Sequence, residues 1–361
     1  MIMQKKYAVI VTADRGPCYT VRWQQWANLI NTTAGGECYM LVLDEPLYDE
    51  YLLAHAAVVV VSRPFLQKHI DTIKSYARLK KKFGFDLCVE MDDLLFSVQG
   101  KDVIPSWNPA PIDTVAVNGF YQEIKDKVDR WLPSTDFIAY ALCKEFGIEP
   151  NKVQVLPNFC FSSCFWDEHK PTRKNKIDVF YTGSCCHYKE GNKGDFEGPW
   201  LEGIGLAMER GYIKFHAFGD KNGILPEKTI LHEQVHAGLW ASTISHYCPD
   251  VVIAPLVSHP FNKSKSPLKA FEASAVGAVL VASVFPGSPY SEYTTQLCSV
   301  SRETTSEALV EIFKALQDPT LRKACVRTQR HEIASRSLVA EMKPARDYFI
   351  KTLFGRFVEV V

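Results

Sequence analysis

Neither charge is in excess in this chain: 41 lysines and arginines face 41 aspartates and glutamates over 361 residues. That balance argues against a basic surface spread over the whole molecule, so any contact with nucleic acid must be a local patch. Long apolar runs are missing too. The longest, Ala56–Val61 and Ala275–Phe285, fall well short of the roughly 18 residues a membrane-spanning helix needs. The opening MIMQKKYAVIV passes straight into a strand-like run, without a signal-peptide core and cleavage site. These absences predict a cytoplasmic protein. There is no C-x-x-C, and the spacings at Cys160/Cys164 and Cys185/Cys186 suit zinc poorly, since adjacent side chains rarely converge on one tetrahedral ion. The eleven cysteines therefore read as reduced, small apolar residues. Neither a Walker loop nor a G-x-G-x-x-G is present.

What is present is a 47% hydrophobic fraction, enough for a globular core, and a length that fits two domains of ordinary size. The first half alternates strands and helices. Tyr7–Thr12, Cys38–Leu43, Ala57–Ser62 and Asp86–Met91 read as strands, the third continuous and β-branched, which suggests a parallel sheet buried on both faces. A turn at Asp14–Pro17 precedes a helix with Trp23, Trp26, Leu29 and Ile30 on its apolar face, stopped by Gly35-Gly36. A second helix runs from Pro64 to Lys82, and a third follows a Pro-broken loop and reaches about Trp131. Asp136–Ala141 and Val153–Leu156 close this half as short strands. After a linker the alternation restarts with strands at Ile177–Tyr181, Tyr212–Phe218, Val251–Pro255 and Val279–Ser283. Helices fall at Trp200–Arg210, Lys265–Val276, 305–317 and 319–335. The expected organisation is α/β: a Rossmann-like domain at 1–157, a linker at 158–176, a second Rossmann-like domain at 177–338, and a terminal helix at 339–361 that packs back on the first. Ligands of two doubly wound domains sit in the cleft between the carboxyl ends of their strands.

Three places can carry chemistry. In Asp250–Tyr290 a strand delivers the chain to a lysine-rich loop, a helix starts near Ser264-Lys265-Ser266-Pro267, and Glu272 follows Lys269 by three residues. A helix N-terminus flanked by lysines suits a diphosphate, and a carboxylate further along can accept from a ribose diol. The plainer reading is a solvated helix start with Glu272 paired to Lys269. Asp92 and Asp93 end a strand where a general base would stand, Asp92 favoured; otherwise one of them caps a turn. Glu90 reads as inside the strand. The loop Ser184–Gly198 offers glycines, His187, Lys189 and Lys193, either a phosphate cradle or a plain exposed loop.

The stretch FNKSKSPLKAFEASAVGAVLVAS (Phe261–Ser283) resembles the donor segment of GT-B glycosyltransferases, above all the large retaining family with P…FN…KS…K…E. Gly16-Pro17 with Val21-Arg22-Trp23 looks like that family's N-terminal loop and helix. Glu90–Phe96 is similar to its E-x-D-D-x-L-F element, Val155–Asn158 to its V-L-P-N, and Val179–Ser184 to the first strand and glycine loop of its second domain. The family's first donor glutamate falls on Ser264, a departure that leaves the stereochemistry open. A looser likeness is to the tailed-phage β-glucosyltransferase acting on hydroxymethylcytosine in DNA. The resemblance implies a hexosyl- or pentosyltransferase with no prosthetic group and no metal, using a nucleoside-diphosphate sugar, a UDP-sugar, as donor. Gly183, Ser184, Lys189, Lys265, Ser266, Lys269 and Glu272 would bind that donor. Arg15 and Gly16 would face the acceptor, with Asp92 and Asp93 catalytic. The favoured acceptor is a hydroxymethylated pyrimidine in double-stranded phage DNA, in the host cytoplasm, reached through basic clusters at Arg78–Lys82, Lys170–Lys176 and Lys263–Lys269. The alternatives are a surface or capsular glycan as acceptor and, from another class, a non-catalytic sugar-nucleotide-binding protein. His232-Glu233-Gln234-Val235-His236 matches H-E-x-x-H, a zinc peptidase motif only if one helix carries both histidines. Here it reads as strand or loop, a nucleobase-side wall of the donor pocket.

Overall fold

Short β-branched runs that are apolar on both faces suit strands covered on both sides, and the chain places them so. A computed structural model of the protein describes residues 7–12, 19–33, 38–106, 108, 112–165, 174–183, 187–188, 191–219 and 223–355. Strands β1 (Tyr7–Thr12), β2 (Tyr39–Leu43), β3 (Ala56–Ser62), β4 (Asp86–Met91) and β5 (Arg130–Pro133) form one parallel sheet in the order β2-β1-β3-β4-β5. All seven residues of β3 are buried, as its continuous β-branched run requires. Strands β6 (Ile177–Tyr181), β7 (Ile213–Phe218), β8 (Ile230–His232), β9 (Val251–Ala254), β10 (Val279–Ser283) and β11 (Ser299–Val300) form a second parallel sheet, ordered β11-β10-β9-β6-β7-β8. The strand order reverses between β1 and β3 in the first sheet and between β6 and β9 in the second. Crevices outside the carboxyl ends of strands at such reversals are where doubly wound sheets bind ligands.

The helices of the first half are α1 (Gln25–Thr33), entered through a π-helical turn at Thr20–Gln24, α2 (Glu50–His55), α3 (Gln67–Phe83), α4 (Thr114–Ile124) and α5 (Asp136–Phe146). Those of the second are α6 (Trp200–Glu209), α7 (Trp240–Tyr247), α8 (Pro260–Lys263), α9 (Leu268–Val276), α10 (Ser306–Ala315) and α11 (Pro319–Ser335), followed by α12 (Lys343–Phe354). None of the described helices is long and apolar enough to cross a membrane. The described cysteines are free thiols.

Three local expectations are corrected. Asp136–Ala141 is not a strand but the start of α5, because the Thr135 hydroxyl caps the helix by accepting from Ile138 N at 3.3 Å. The closing strand is β5, just before it, so the preceding helix ends at Ile124 rather than Trp131, and Val153 contributes only a single bridge to Trp131. Helix α3 starts at Gln67 rather than Pro64. The Nδ1 atom of His69 accepts from the Phe65 and Leu66 amides, each at 3.3 Å, and this cap sets the start.

The chain crosses between the halves twice, and the crossings lie side by side. Cys160 N donates to Leu338 O at 2.8 Å and Ala340 N to Cys160 O at 2.9 Å. Beyond the return crossing, α12 lies on the first half: Phe349 stacks on Trp26 with ring centres 3.8 Å apart, and Arg130 Nη2 donates to Leu353 O at 2.7 Å.

Candidate active site

The carboxyl ends of both sheets open onto one cavity of about 630 Å³. Its first wall is the π-helical turn and α1, presenting Thr20, Gln24, Gln25 and Asn28, together with Asp92 and Asp93 after β4. The second wall carries Thr182 and Gly183 after β6, His187, and the segment Lys265–Glu272. Asn158 to Phe161, at the first crossing, lie between them.

Asp92 is 5% exposed and held from two sides. Its Oδ1 accepts from Asn158 Nδ2 at 3.0 Å, and its carbonyl accepts from the Ser134 hydroxyl at 2.8 Å. Asn158 is oriented in turn by Arg22, whose Nη1 donates to Asn158 Oδ1 at 3.1 Å and to Leu156 O at 2.6 Å. Arg22 also pairs through Nε with Glu90 at 2.8 Å. Glu90, fully buried in β4, accepts the Ser62 hydroxyl as well, and burial pushes its carboxyl above the usual range against the pull of Arg22. Arg22 and Trp23 both lie on the π-helical turn and are buried. Asp93 pairs with Arg63 at 3.1 Å. The two aspartates therefore stand in different surroundings: Asp93 is tied to a cation, and Asp92 is held by neutral amide and hydroxyl groups at the cavity edge.

The second wall is cationic. Helix α9 begins at Leu268, three residues later than the sequence suggested, so Lys265 and Ser266 stand on the loop before it. Lys269 Nζ donates to Thr182 O at 2.6 Å, pairs with Glu272 at 3.0 Å, and sits 5.7 Å from the centre of the Trp240 ring. Glu272 also accepts from the Thr182 hydroxyl at 3.2 Å. The Ser266 hydroxyl is buried in this wall without a protein partner. A Cβ at Gly183 would fall on the Tyr181 hydroxyl, so a larger residue where the chain leaves β6 would have to displace that buried ring.

His187 and Asp195 form a pair that sequence reasoning did not assign. Their Nδ1 to Oδ2 distance is 2.7 Å, and Lys265 Nζ stands 3.3 Å from the same ring nitrogen. Asp195, 1% exposed, accepts further from Val257 N at 3.1 Å and from the Asn262 side chain. Burial opposes its charge, yet His187 and Lys265 hold the carboxyl below the usual range. Burial, then Lys265, lowers the His187 imidazole below the usual histidine range, against Asp195. Two further wall residues, Asn158 and Trp240, were also missed.

Of the residues expected from the sequence, Asp92, Asp93, Gly183, Lys265, Ser266, Lys269 and Glu272 meet at this one cavity. Arg15, Gly16, Ser184 and Lys189 lie outside the described residues. The peptidase reading of His232–His236 is excluded by geometry. His232 ends β8, His236 caps a separate turn, and no helix carries both. Among the described residues no group of three His, Cys, Asp or Glu could hold a metal. Gln234 and Val235, inside the motif, line the cavity instead. Among the described residues the basic clusters do not form one surface at the site. Lys80 pairs with Asp129, which also binds Leu87 N, placing Arg78–Lys82 at the amino ends of the strands. Lys174 pairs with Asp178 and Asp250 at the amino end of the second sheet. Among the described residues, only those of the Lys263–Lys269 cluster reach the cavity.

No family model matches the chain, and no curated protein matches it in sequence. Among solved structures it is similar to a glycosyltransferase from Rickettsia africae, at 12% identity and a TM-score of 0.57, covering 98% of this chain and 99% of that one. It is similar to HepE from Anabaena in complex with UDP-glucose, at 10% identity and a TM-score of 0.58, covering 96% and 98%. TarM matches at 11% identity and a TM-score of 0.53, covering 84% of this chain and 55% of that one. These likenesses lend no support to the looser phage resemblance. With two parallel doubly wound sheets facing one cavity, the chain has the GT-B fold of glycosyltransferases.

Proposed function

We propose that the protein is a glycosyltransferase that moves a sugar from a nucleoside-diphosphate sugar, a UDP-sugar, to an acceptor hydroxyl. The observation that carries this is the second wall of the cavity, where Lys265, Ser266 and Lys269 gather at the start of a helix beside Gly183, the Ser266 hydroxyl buried there without a protein partner. Buried hydroxyls are usually hydrogen-bonded, and an unpartnered one among two lysines and a helix start has surroundings that suit an anion. Lys265, Lys269 and the helix start would stabilise the charge on the leaving diphosphate. Glu272 would hold the ribose, and Asp92, on the opposite wall, would orient or deprotonate the acceptor hydroxyl.

The first wall favours a glycan acceptor over hydroxymethylated DNA. Among its described residues there is no lysine or arginine; it presents the carboxamides of Gln24, Gln25 and Asn28 beside two aspartates. Carboxamides and carboxylates match sugar hydroxyls, whereas duplex DNA is held through cations on its phosphates. The test incubates the protein with a panel of sugar nucleotides and two acceptor sets, oligosaccharides and duplex DNA containing 5-hydroxymethylcytosine, followed by mass analysis. A sugar-sized increase on an oligosaccharide is expected. An increase on the modified cytosine alone would reverse the acceptor assignment, and binding of a sugar nucleotide with no transfer would point to the non-catalytic reading.

A further inference from the structure

We propose that His187 takes up a proton when a sugar nucleotide binds and, as an imidazolium anchored to Asp195, donates a charged hydrogen bond to the donor's diphosphate. This rests on the donor-site reading given above. Asp195 accepts from Val257 N and the Asn262 amide as well as facing His187, so it is an acceptor throughout, and His187 Nδ1 carries the hydrogen between them. The second ring nitrogen, Nε2, is then the one left for a molecule in the cavity. In the neutral ring it bears a lone pair, which repels a phosphate oxygen; protonated, it becomes a donor.

The charges facing the ring decide which form is present. Asp195, on the turn Gly194–Phe196, favours the imidazolium. Lys265 on the loop before α9 and Lys269 on α9 oppose it, and burial does too. Glu272, the remaining charged group on α9, is engaged by Lys269, and Tyr181 meets the ring edge-on at 6.4 Å. Without a bound anion, burial and the two ammonium groups outweigh Asp195. The diphosphate diester of a sugar nucleotide carries two negative charges. Seated against Lys265, Ser266 and Lys269, it cancels the two opposing cations and adds anions beside the ring, which reverses the balance. The proton comes from the buffer on binding and returns to it when the product leaves. No covalent bond changes in this step.

The bound state then has the higher histidine pKa. Affinity is greatest at low pH and falls by up to about tenfold per pH unit as pH rises from the free to the bound value. The experiment is titration calorimetry of the full chain with UDP-glucose, GDP-mannose and ADP-glucose, whose diphosphates exchange no proton near neutrality. Each is run at several pH values in two buffers of different ionisation enthalpy. The parent should take up a proton, up to about one per ligand, and His187→Asn, which keeps a donor toward Asp195 but cannot titrate, should take up none and lose the pH dependence. Binding without uptake by the parent, or equal uptake by His187→Asn, overturns the histidine inference and leaves the donor site standing. Absence of binding by every sugar nucleotide overturns the donor site and this inference with it.

Discussion

Replacing Glu272 by alanine is the sharpest probe of the donor site, because the structure bounds its effect on both folding and binding. The Lys269–Glu272 pair is mostly buried, its side chains 21% and 15% exposed, so the variant takes an acceptor from both Lys269 and the Thr182 hydroxyl and costs about 1–3 kcal/mol of stability. Lys269 keeps its bond to Thr182 O at 2.6 Å and its place near Trp240. For binding, a carboxylate offers about four acceptor sites. Lys269 occupies two, at 3.2 and 3.0 Å, and the Thr182 hydroxyl a third, at 3.2 Å. One site is therefore left for a ribose hydroxyl, and a hydrogen bond to a charged group contributes about 1.5–3 kcal/mol. Glu272→Ala should weaken the sugar nucleotide that binds the parent most tightly by about 12- to 140-fold. Glu272→Gln, which retains an oxygen acceptor, should fall between the two. Titration calorimetry on variants that remain fully folded at the assay temperature reads this directly. A Glu272→Ala variant that binds within twofold of the parent would refute the ribose assignment.

Asp92→Asn keeps shape and hydrogen-bonding reach but removes basicity, so turnover should drop by about a hundredfold or more while donor affinity stays nearly constant; steady-state kinetics with separate donor titration checks this, and full activity would move the role away from Asp92. Burial, then Lys68, lowers the His69 pKa to about 4, and its neutral Nδ1 accepts the two amides that start α3. Because the folded value lies below the unfolded one, the stability this cap contributes is intact above about pH 6.5 and is lost as pH falls toward about 4. Denaturant unfolding across that window should show the loss in the parent and a flatter profile in His69→Asn, whose side-chain oxygen accepts without titrating; equal slopes would refute it.

Long apolar strands were legible because their pattern is local: β3 and β10 could be read from their own residues. The short β5 was not. It has four residues, ends in a proline and is flanked closely by helices, and its strand character comes from pairing with β4. The site divides the same way. Lys265, Lys269 and Glu272 share one segment, so their spacing carried meaning. His187 and Asp195 lie eight residues apart in a loop without periodicity. They meet because Gly194 adopts a φ of +53° where a Cβ would strike His187 O. Glu90 could be placed inside its strand, but its partner Arg22 is 68 residues away, a distance only the fold closes.

The second sheet is inserted into the first half, between the outgoing crossing at Cys160 and the return at Ala340. The order in which the chain is made therefore differs from the order in which it can finish folding. Trp23, Trp26 and Ile30, near the start, share a core with Phe349, Leu353 and Phe354, near the end. A nascent chain can close its second sheet as soon as residue 335 has emerged, while the half synthesised first still lacks part of its interior. Truncating α12 would thus leave the neighbouring second sheet intact and expose apolar surface on the half farthest away in sequence, making that half the one a proteolytic or chaperone system would meet.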